Sequence, residues 1–305
     1  MATPTAFVCS ATGTQGGALA RQLRTLAFDV HTTTRNPDSP AAKALSAIGV
    51  KVVHGDWDND AALRSASSGS QYLFLNLFPA FTDSSLELER AKRILSIAKE
   101  AGIKHVIYSS DFAVERNKAS NEQTFIDRAR KSKRNIEKET AEAGFDTWTV
   151  LRPGFFMANF ILPKVQRYST AADGVITFGY PATTRLPLID HEDTAKFAVA
   201  VFQNPSKFNG HTIRLAGELL TAGEVIAALG RATGRNIRGT YLTVAEAEQK
   251  AKTEFMTEAE LVVPQMAGVF NPDELKSWGV PFGSFEDFLK REKEVVEATY
   301  QNVRD

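Results

Sequence analysis

The sequence is poor in the residues that form disulfides and metal sites. Its 305 residues include one cysteine, Cys9, which excludes an internal disulfide and fits a reducing compartment. The five histidines do not show the close spacing of a metal-ligand set. We therefore expect no metal site, and we expect Cys9, which falls in the first predicted strand, to be a buried and inert thiol.

Net charge and long hydrophobic runs are also missing. Lysine plus arginine and aspartate plus glutamate both number 36, so no overall field favours nucleic acid or an anionic membrane. No apolar run reaches transmembrane length, and the N-terminal residues do not follow the secretory pattern. We expect a cytoplasmic protein that binds neither nucleic acid nor membranes directly, or a nuclear one if it acts as a regulator.

The sequence does contain a regular alternation of short apolar strands and helical patterns. A first strand around Phe7 and Val8 is followed by predicted strands at 29–34, 50–54, 72–77, 106–110 and 146–151. Helices are predicted between them, at 17–27, 39–48, 61–66, 84–101 and 125–143, with a polar, irregular segment at 112–123. This repeat predicts an α/β fold with a doubly wound parallel sheet of the Rossmann type.

The composition changes after the sixth strand. Short strands are predicted at 175–178, 185–189 and 212–215, with helices at 192–202 and along the terminal residues up to Tyr300. We expect residues 1–153 to form a dinucleotide-binding domain and residues 154–305 a smaller mixed α/β domain for a substrate or partner, with the chain crossing between them. The sequences at 190–193 and 221–224 indicate helix N-termini.

The turn after the first strand is rich in small residues and opens a helix. Backbone N–H groups and the positive end of the helix dipole then converge on one spot, which suits a phosphate. We expect Gly13 to allow a tight turn, Gly16 to allow close approach of a pyrophosphate, and Gly17 with Ala18 to pack the helix on the sheet. Ser10 stands where the first glycine is usual. The alternative is a glycine turn that serves packing alone.

The end of the second strand carries a basic residue. An acidic residue about twenty positions after the glycines would bind the ribose 2′-hydroxyl of NAD, but the position is Arg35. A guanidinium pairs with a 2′-phosphate, so the pattern favours NADP(H), with polar contacts from Asn36 and Ser39. The alternative is a solvated surface arginine.

Two further strand ends offer contacts to a nucleotide. After the third strand, Asp56 is placed to accept from the adenine amino group, with Trp57 beside the ring. The alternative is that Asp56 and Asp58 cap the next helix. The fourth strand ends in Asn76, Leu77 and Phe78, where the middle of the cofactor is expected to pass.

Four motifs together resemble the NmrA-like family of atypical short-chain dehydrogenase/reductases. They are Ser-Ala-Thr-Gly-Thr-Gln-Gly-Gly at 10–17, Thr-Arg-Asn-Pro at 34–37, Gly-Asp at 55–56 and Leu-Arg-Pro-Gly-Phe-Phe at 151–156. The resemblance runs to about Asn159 and implies an NADP-binding Rossmann fold. It also implies that Lys133, eleven residues before Gly144, contacts the nicotinamide ribose. The alternative is one more charge in a basic cluster.

The residues and the resemblance together give a set of cofactor-binding candidates. The set is Ser10, Ala11, Thr12, Gly13, Thr14, Gln15, Gly16, Arg35, Asn36, Ser39, Asp56, Trp57, Asn76, Leu77, Phe78, Lys133, Pro153, Phe155, Phe156 and Met157.

The usual catalytic tyrosine of short-chain dehydrogenases is missing. It would precede the lysine by four residues, where this chain has Ala129. One family branch lacking it resembles regulators that bind NADP without turnover, and another resembles reductases in which the lysine handles the proton. Our catalytic candidates are Lys133 and, at the end of the fifth strand, Tyr108, Ser109 and Ser110 as oxyanion donors. For the last three the alternative role is to end a buried strand.

We therefore predict an NADP(H)-dependent reductase of a small aromatic or conjugated carbonyl or enone compound. Phe155, Phe156, Met157 and Tyr180 would supply an apolar pocket for it. The alternative is an NADP(H)-sensing regulator that acts through a protein partner. A homodimer is a further expectation for either function.

Overall fold

Alternating strands and helices form a parallel sheet in the computed structural model, which describes residues 3–78, 83, 85–112, 124–167 and 173–303. The segment predicted to be irregular, 112–123, lies outside these residues except for Phe112. Two compact units are present, one formed by Met1–Arg152 with Thr194–Ile213 and the other by Pro153–Asp193 with Arg214–Asp305. The sequence predicted a domain boundary at residue 153 and a chain that crosses between the domains. In the structure, residues 194–213 belong to the first unit, although the predicted boundary placed them in the second domain.

The first eleven elements follow one another as strand and helix without exception. They are β1 (Thr5–Val8), α1 (Thr14–Thr25), β2 (Asp29–Thr34), α2 (Pro40–Ala47), β3 (Lys51–His54), α3 (Asp60–Ser67), β4 (Tyr72–Leu75), α4 (Ser85–Glu100), β5 (His105–Ser109), α5 (Phe125–Glu142) and β6 (Thr147–Pro153).

The remaining elements are shorter and less regular. They are β7 (Phe155–Phe156), β8 (Val175–Phe178), β9 (Arg185–Ile189), α6 (His191–Gln203), α7 (Pro205–Phe208), β10 (His211–Leu215), β11 (Glu218–Thr221), α8 (Ala222–Thr233), β12 (Arg238–Tyr241), α9 (Val244–Ala251), α10 (Phe255–Glu260), α11 (Val263–Met266), α12 (Pro272–Ser277), α13 (Phe285–Arg291) and α14 (Lys293–Tyr300).

The main sheet has seven strands in the order β10-β6-β5-β4-β1-β2-β3. Strand β1 pairs in parallel with β2 on one side and β4 on the other, with Ala6 opposite Val30 and Tyr72. The chain therefore reverses its direction of winding between β1 and β4. In open α/β sheets, the carboxyl ends of the strands at such a point form the crevice where ligands bind.

Tertiary packing moves two element boundaries away from their predicted places. Helix α1 begins at Thr14 rather than at residue 17, because Gly16 and Gly17 are buried inside it despite their low helix propensity. Strand β10, predicted for the C-terminal domain, extends the main sheet beside β6, where the N–H of Gly210 donates to the carbonyl of Trp148.

The second unit contains a three-stranded sheet, β11-β9-β7, and a parallel pair of β12 with β8. Its core is rich in aromatic rings, which are joined through Phe160 to Phe155 and Phe178. The predicted helix starts are confirmed, since Thr221 and Glu224 form a capping box on α8 and Asp190 accepts the N–H of Glu192 in α6. Among the helices of the described residues, none is long and apolar enough to cross a membrane.

One buried carboxyl group makes the stability of the second unit depend on pH. The side chain of Glu260 is 6% exposed and accepts the N–H of Gly179 at 2.6 Å. Burial raises the pKa of Glu260 to about 7, although the Gly179 hydrogen bond acts in the opposite direction. The folded chain thus holds this proton more tightly than the unfolded chain, so the free energy of unfolding falls as pH rises from about 4.5 to 7.

We predict that Glu260→Gln stabilises the protein above pH 7 by at most about 3 kcal/mol and has little effect near pH 4.5. The amide keeps an acceptor for Gly179 and removes the charge that is costly to bury. Urea unfolding at pH 4.5, 6 and 8 measures the difference, with the exposed Glu248→Gln in α9 as a control. An equal effect of Glu260→Gln at all three pH values would show that Glu260 does not titrate in this range.

Candidate functional site

The turn between β1 and α1 depends on an unusual backbone conformation at Ser10. Its φ of 56° lies in the left-handed region, and its carbonyl accepts the N–H of Gly13 at 2.9 Å. The Ser10 hydroxyl donates to the carbonyl of Asn76 at 2.8 Å, which offsets part of the strain. The residue that turns the chain is therefore Ser10, whereas Gly13 has an extended backbone with φ −98°.

Gly16 and Gly17 let the helix lie directly against the turn. A Cβ atom on Gly16 would lie 2.5 Å from the carbonyl oxygen of Ser10 and 2.6 Å from that of Cys9. One on Gly17 would lie 2.9 Å from the carbonyl oxygen of Ala11. The small residue at 16 thus has a packing reason, and the prediction that it admits a pyrophosphate is not needed to explain it.

The start of α1 is open to a ligand. Gly13 is the N-cap residue, no side chain caps the helix there, and the first turn contains no acidic residue. The first N–H groups of a helix have no intrahelical acceptor and carry a partial positive charge. Thr12 and Gly13 are exposed, so these groups face an accessible surface.

A groove of about 570 Å³ begins at this helix terminus and follows the ends of β2 and β3. It brings together many of the predicted cofactor-binding residues, namely Ser10, Thr12, Gly13, Arg35, Asn36, Ser39, Asp56, Trp57 and Phe78. It also includes residues that the sequence reasoning missed, namely Thr33, Thr34, Gly55 and Arg90.

Arg35 supplies the free cation of this groove. It is exposed, and its guanidinium makes no hydrogen bond or ion pair with any residue that the structure describes. Its two polar neighbours are engaged locally, since Asn36 accepts the N–H of Asp38 and the Ser39 hydroxyl caps α2 by accepting the N–H of Ala42. The Ser39 hydroxyl keeps its own proton to donate.

The opposite wall carries an arginine that is already paired. Arg90 of α4 donates two hydrogen bonds to Asp58, at 3.1 and 2.5 Å, and the hydrogen bond to Arg90 holds the pKa of Asp58 below its usual range. The predicted capping role of Asp56 and Asp58 is wrong, because Asn59 caps α3 by accepting the N–H of Ala62. The carboxylate of Asp56 accepts the N–H of Asp58 and lies exposed at the groove.

Thr33 presents an unsatisfied hydroxyl to the groove. The residue is 5% exposed, and its Oγ1 has no hydrogen-bond partner among the described residues. Buried polar atoms in native structures nearly always have partners, so an unmet hydroxyl beside a groove indicates a place for a ligand or a water. The two-residue period of a strand puts Thr33 and Arg35 on one face of β2, which is the sequence signal that could have identified it.

A second group of predicted residues lies where β5 meets α4 and α5. The ammonium of Lys133 donates to Glu87 at 2.8 Å, and the two side chains are 12% and 1% exposed. Burial lowers the pKa of Lys133, but Tyr108 and Glu87 outweigh it and hold the pKa above the ordinary value for lysine. Tyr108 is fully buried, and its pKa is raised, mainly by that burial.

The other hydroxyls at the end of β5 have different surroundings. Ser109 is buried and donates to Gln15 of α1 at 2.8 Å. Ser110 is half-buried, and its hydroxyl interacts with that of Tyr108 and has no further partner among the described residues. Of the predicted oxyanion donors, Ser110 therefore lies beside Tyr108, Ser109 is engaged with α1, and Tyr108 does not reach the surface.

Comparison with known proteins identifies the family. The model of the NmrA-like family matches residues 3–281. The chain belongs to the NmrA-like family. An NmrA-like family domain-containing oxidoreductase of an Aspergillus species is 34% identical over 265 residues, which cover 80% of this chain and 77% of that protein.

Three solved structures share the fold of this NmrA-like chain. The Citrobacter triphenylmethane reductase in complex with NADP(H) has a TM-score of 0.72 at 19% identity, over 94% of this chain and 99% of that one. An NADPH-dependent quinone oxidoreductase from Escherichia coli in complex with NADPH has a TM-score of 0.70 at 21% identity, over 94% and 99%. NmrA, a negative transcriptional regulator, in complex with NADP has a TM-score of 0.66 at 22% identity, over 100% and 93%.

The groove of this NmrA-like chain has the chemistry to hold a phosphorylated nucleotide. Its open helix terminus and free guanidinium suit phosphate groups, the unmet Thr33 hydroxyl suits a sugar hydroxyl, and Trp57 and the exposed Phe78 suit a base. The described residues contain no group of three or more His, Cys, Asp or Glu side chains arranged for a metal ion.

Most of the remaining predicted site residues are buried or half-buried. Ala11 and Leu77 are buried, so they offer backbone atoms at most, while Thr14 is half-buried in the first turn of α1. Cys9 is a buried free thiol, and burial raises its pKa to about 12, so it is inert at neutral pH. In the second unit, Pro153 ends β6, Phe156 is half-buried beneath the Lys164 ammonium, and the rest lie in the core, namely Phe155, Met157 and Tyr180.

We predict that Gly16→Ala destabilises the protein by about 2 kcal/mol or more, because backbone atoms that cannot move freely would contact the new methyl group. Gly13→Ala is the matched control. Its Cβ would lie 3.3 Å from the nearest atom, so we expect a loss of about 1 kcal/mol or less. Chemical denaturation of both variants gives the comparison, and equal losses would contradict the packing role assigned to Gly16.

Proposed function

We propose that this NmrA-like protein is an NADP(H)-dependent reductase of small aromatic or conjugated carbonyl compounds. The observation that carries the proposal is the guanidinium of Arg35, which has no partner among the described residues and lies in a groove that begins at the uncapped N-terminus of α1. A dinucleotide with a 2′-phosphate has an anionic group for each of these two features.

The adenosine half of the cofactor is assigned to the groove. The N-terminus of α1 near Gly13 would hold the pyrophosphate, and Arg35 with the Ser39 hydroxyl would hold the 2′-phosphate. Thr33 would bind the ribose hydroxyls, and Asp56 would accept from the adenine amino group. An arginine here favours NADP(H) over NAD(H), because NAD(H) offers no phosphate to pair with the guanidinium.

The nicotinamide half is assigned to the carboxyl end of β5, next to Lys133 of α5. When bound, NADPH supplies a hydride from C4 of its nicotinamide ring. Lys133 holds a positive charge for the ribose hydroxyls, and Ser110 donates to the oxygen that becomes negative as the carbonyl is reduced. The proton that completes the reduction is relayed through Lys133 from solvent, so the ammonium is charged before and after the step.

Two proteins of the same fold support conjugated compounds as the substrate class. One neighbour is a quinone oxidoreductase and another a triphenylmethane reductase, so their substrates are conjugated ring systems. A curated relative that is 34% identical is itself named an oxidoreductase. Conjugated carbonyls accept hydride readily and need no activation by a metal.

We predict that Arg35→Met weakens NADPH binding about 10- to 100-fold and leaves NADH binding nearly unchanged. One or two charge-assisted hydrogen bonds to the 2′-phosphate, worth about 1.5–3 kcal/mol, account for this range. Fluorescence titration with both cofactors gives the dissociation constants. Arg64→Met is the control, because Arg64 is an exposed arginine paired with Glu100 and does not line the groove. An equal loss for NADPH and NADH in Arg35→Met would contradict the assignment.

We predict NADPH-preferring turnover with at least one member of a panel of quinones, enones and aromatic ketones, and its loss in Lys133→Met. That variant leaves the buried Glu87 carboxylate unpaired, which destabilises a fold by about 3–5 kcal/mol. The double variant Glu87→Gln/Lys133→Met removes both charges and tests for this. If turnover returns in the double variant, the loss in Lys133→Met reflects folding and the catalytic role of Lys133 is contradicted.

A second function is favoured by Ala129, which replaces the usual acid tyrosine on α5, and by a related fold described as a negative transcriptional regulator bound to NADP. In this alternative the chain senses NADP(H) and acts through a protein partner. Saturable NADPH binding with no consumption over the whole panel would favour it. Hydrogen exchange that is unchanged by NADPH outside the groove would count against it.

A further inference from the structure

The ion pair between Glu87 and Lys133 is one of two described pairs of the first unit in which both groups are withdrawn from water, the other being Arg152 with Glu137. Glu87 lies in the first turn of α4 and Lys133 in α5, and their side chains are 1% and 12% exposed. Most ion pairs among the described residues are on the surface. One of them, Lys92 with Glu139, joins the same two helices at 3.0 Å with both groups substantially exposed. A surface pair contributes little to stability and needs no special reason.

Stability alone does not explain the buried pair. Removing two charges from water costs about as much as their attraction returns, so apolar residues of similar volume would serve packing at least as well. The cluster also leaves polar atoms unmet. Oε2 of Glu87 is buried without a hydrogen-bond partner among the described residues, and the hydroxyls of Tyr108 and Ser110, which interact with each other, have no further partner there. Buried polar atoms nearly always have partners, so this cluster has hydrogen-bonding capacity that the described residues do not use.

We propose that Glu87 is a positioning residue whose buried carboxylate holds the ammonium group of Lys133 as a fixed cation for the nicotinamide ribose hydroxyls. This inference rests on the proposed function, in which Lys133 contacts that ribose. It adds a residue on a different helix, 46 positions away in the sequence, on which the lysine depends.

The charges around Lys133 define what the loss of Glu87 would do. The groups that act on the ammonium are Tyr108 of β5, Glu87 of α4 and Asp111 just after β5, and all of them favour its charged form. Burial acts in the opposite direction and is the largest single influence on the pKa of Lys133. Without the Glu87 charge, the lysine should lose its proton at a lower pH, and its side chain would no longer be held in one orientation.

The direct test is the pH dependence of Lys133 acylation by acetic anhydride, followed by mass spectrometry of the peptide that contains it. Only a neutral amine reacts, so the labelled fraction reports the pKa of this lysine without any cofactor. We expect Glu87→Gln to increase labelling of Lys133 about tenfold or more at pH 9 relative to the wild type. Glu139→Gln, which removes the exposed carboxylate from the same helix pair, should leave Lys133 labelling unchanged.

NADPH affinity provides the second readout. Between pH 7.5 and 9.5 the 2′-phosphate is fully ionised, so its titration does not interfere. We expect the wild-type dissociation constant to be nearly constant over this range and that of Glu87→Gln to rise about tenfold. Glu87→Asp keeps the charge, so its labelling should stay near the wild-type level and its affinity should be nearly independent of pH.

The outcomes separate this inference from the proposed function. Identical labelling of Lys133 in Glu87→Gln and the wild type would overturn the inference, whatever the cofactor does. If Glu87→Gln does not fold, as judged by circular dichroism, Glu87→Asp decides it, and a Lys133 that reacts freely in that variant would overturn it as well. A wild-type protein that binds no NADPH would overturn the proposed function and the ribose contact, while the labelling would still decide whether Glu87 fixes the lysine.

Discussion

The uncapped N-terminus of α1 is the feature on which the rest of the first unit depends. Its N–H groups are available because the chain turns at Ser10 in a left-handed conformation and because Gly16 lets the helix lie against the turn. A side chain at 16 would push α1 away from β1, and the groove that begins at Gly13 would lose its wall. The hydrogen bond from Ser10 to Asn76 ties this turn to the end of β4, on the other side of the point where the sheet reverses its winding.

The two arginines of the groove differ in how much of their charge is available to a ligand. The guanidinium of Arg90 is neutralised by Asp58, so it stiffens the wall and has little attraction left for a ligand. The guanidinium of Arg35 has no such partner among the described residues, so its charge is available to an anion. Lys133 lies outside the groove, and its pairing with Glu87 differs from both because it is buried. A buried pair is held together because separating the two groups leaves an unpaired charge in the interior.

Much of the fold could be predicted because its signals are local in the sequence. The β-branched run at 29–34 gave a strand with the bounds predicted, and the cap at Thr221 gave the start of α8. What could not be predicted depends on contacts distant in sequence. Gly16 looked like a ligand contact because its packing partner, the Ser10 carbonyl, is defined only by the path of the turn. Likewise, the partner of Lys133 lies on another helix, and nothing in the sequence around Glu87 sets it apart from the other acids of α4.

Recognition of a 2′-phosphorylated adenosine by the groove of the first unit can be measured with the adenosine half of the cofactor alone. Isothermal titration with adenosine 2′,5′-bisphosphate and with ADP compares two ligands that carry equal numbers of phosphates in different places. We expect saturable binding of the 2′,5′-bisphosphate that is at least about tenfold tighter than that of ADP, because only the 2′-phosphate reaches Arg35. Equal affinities, or no binding of either ligand, would contradict it.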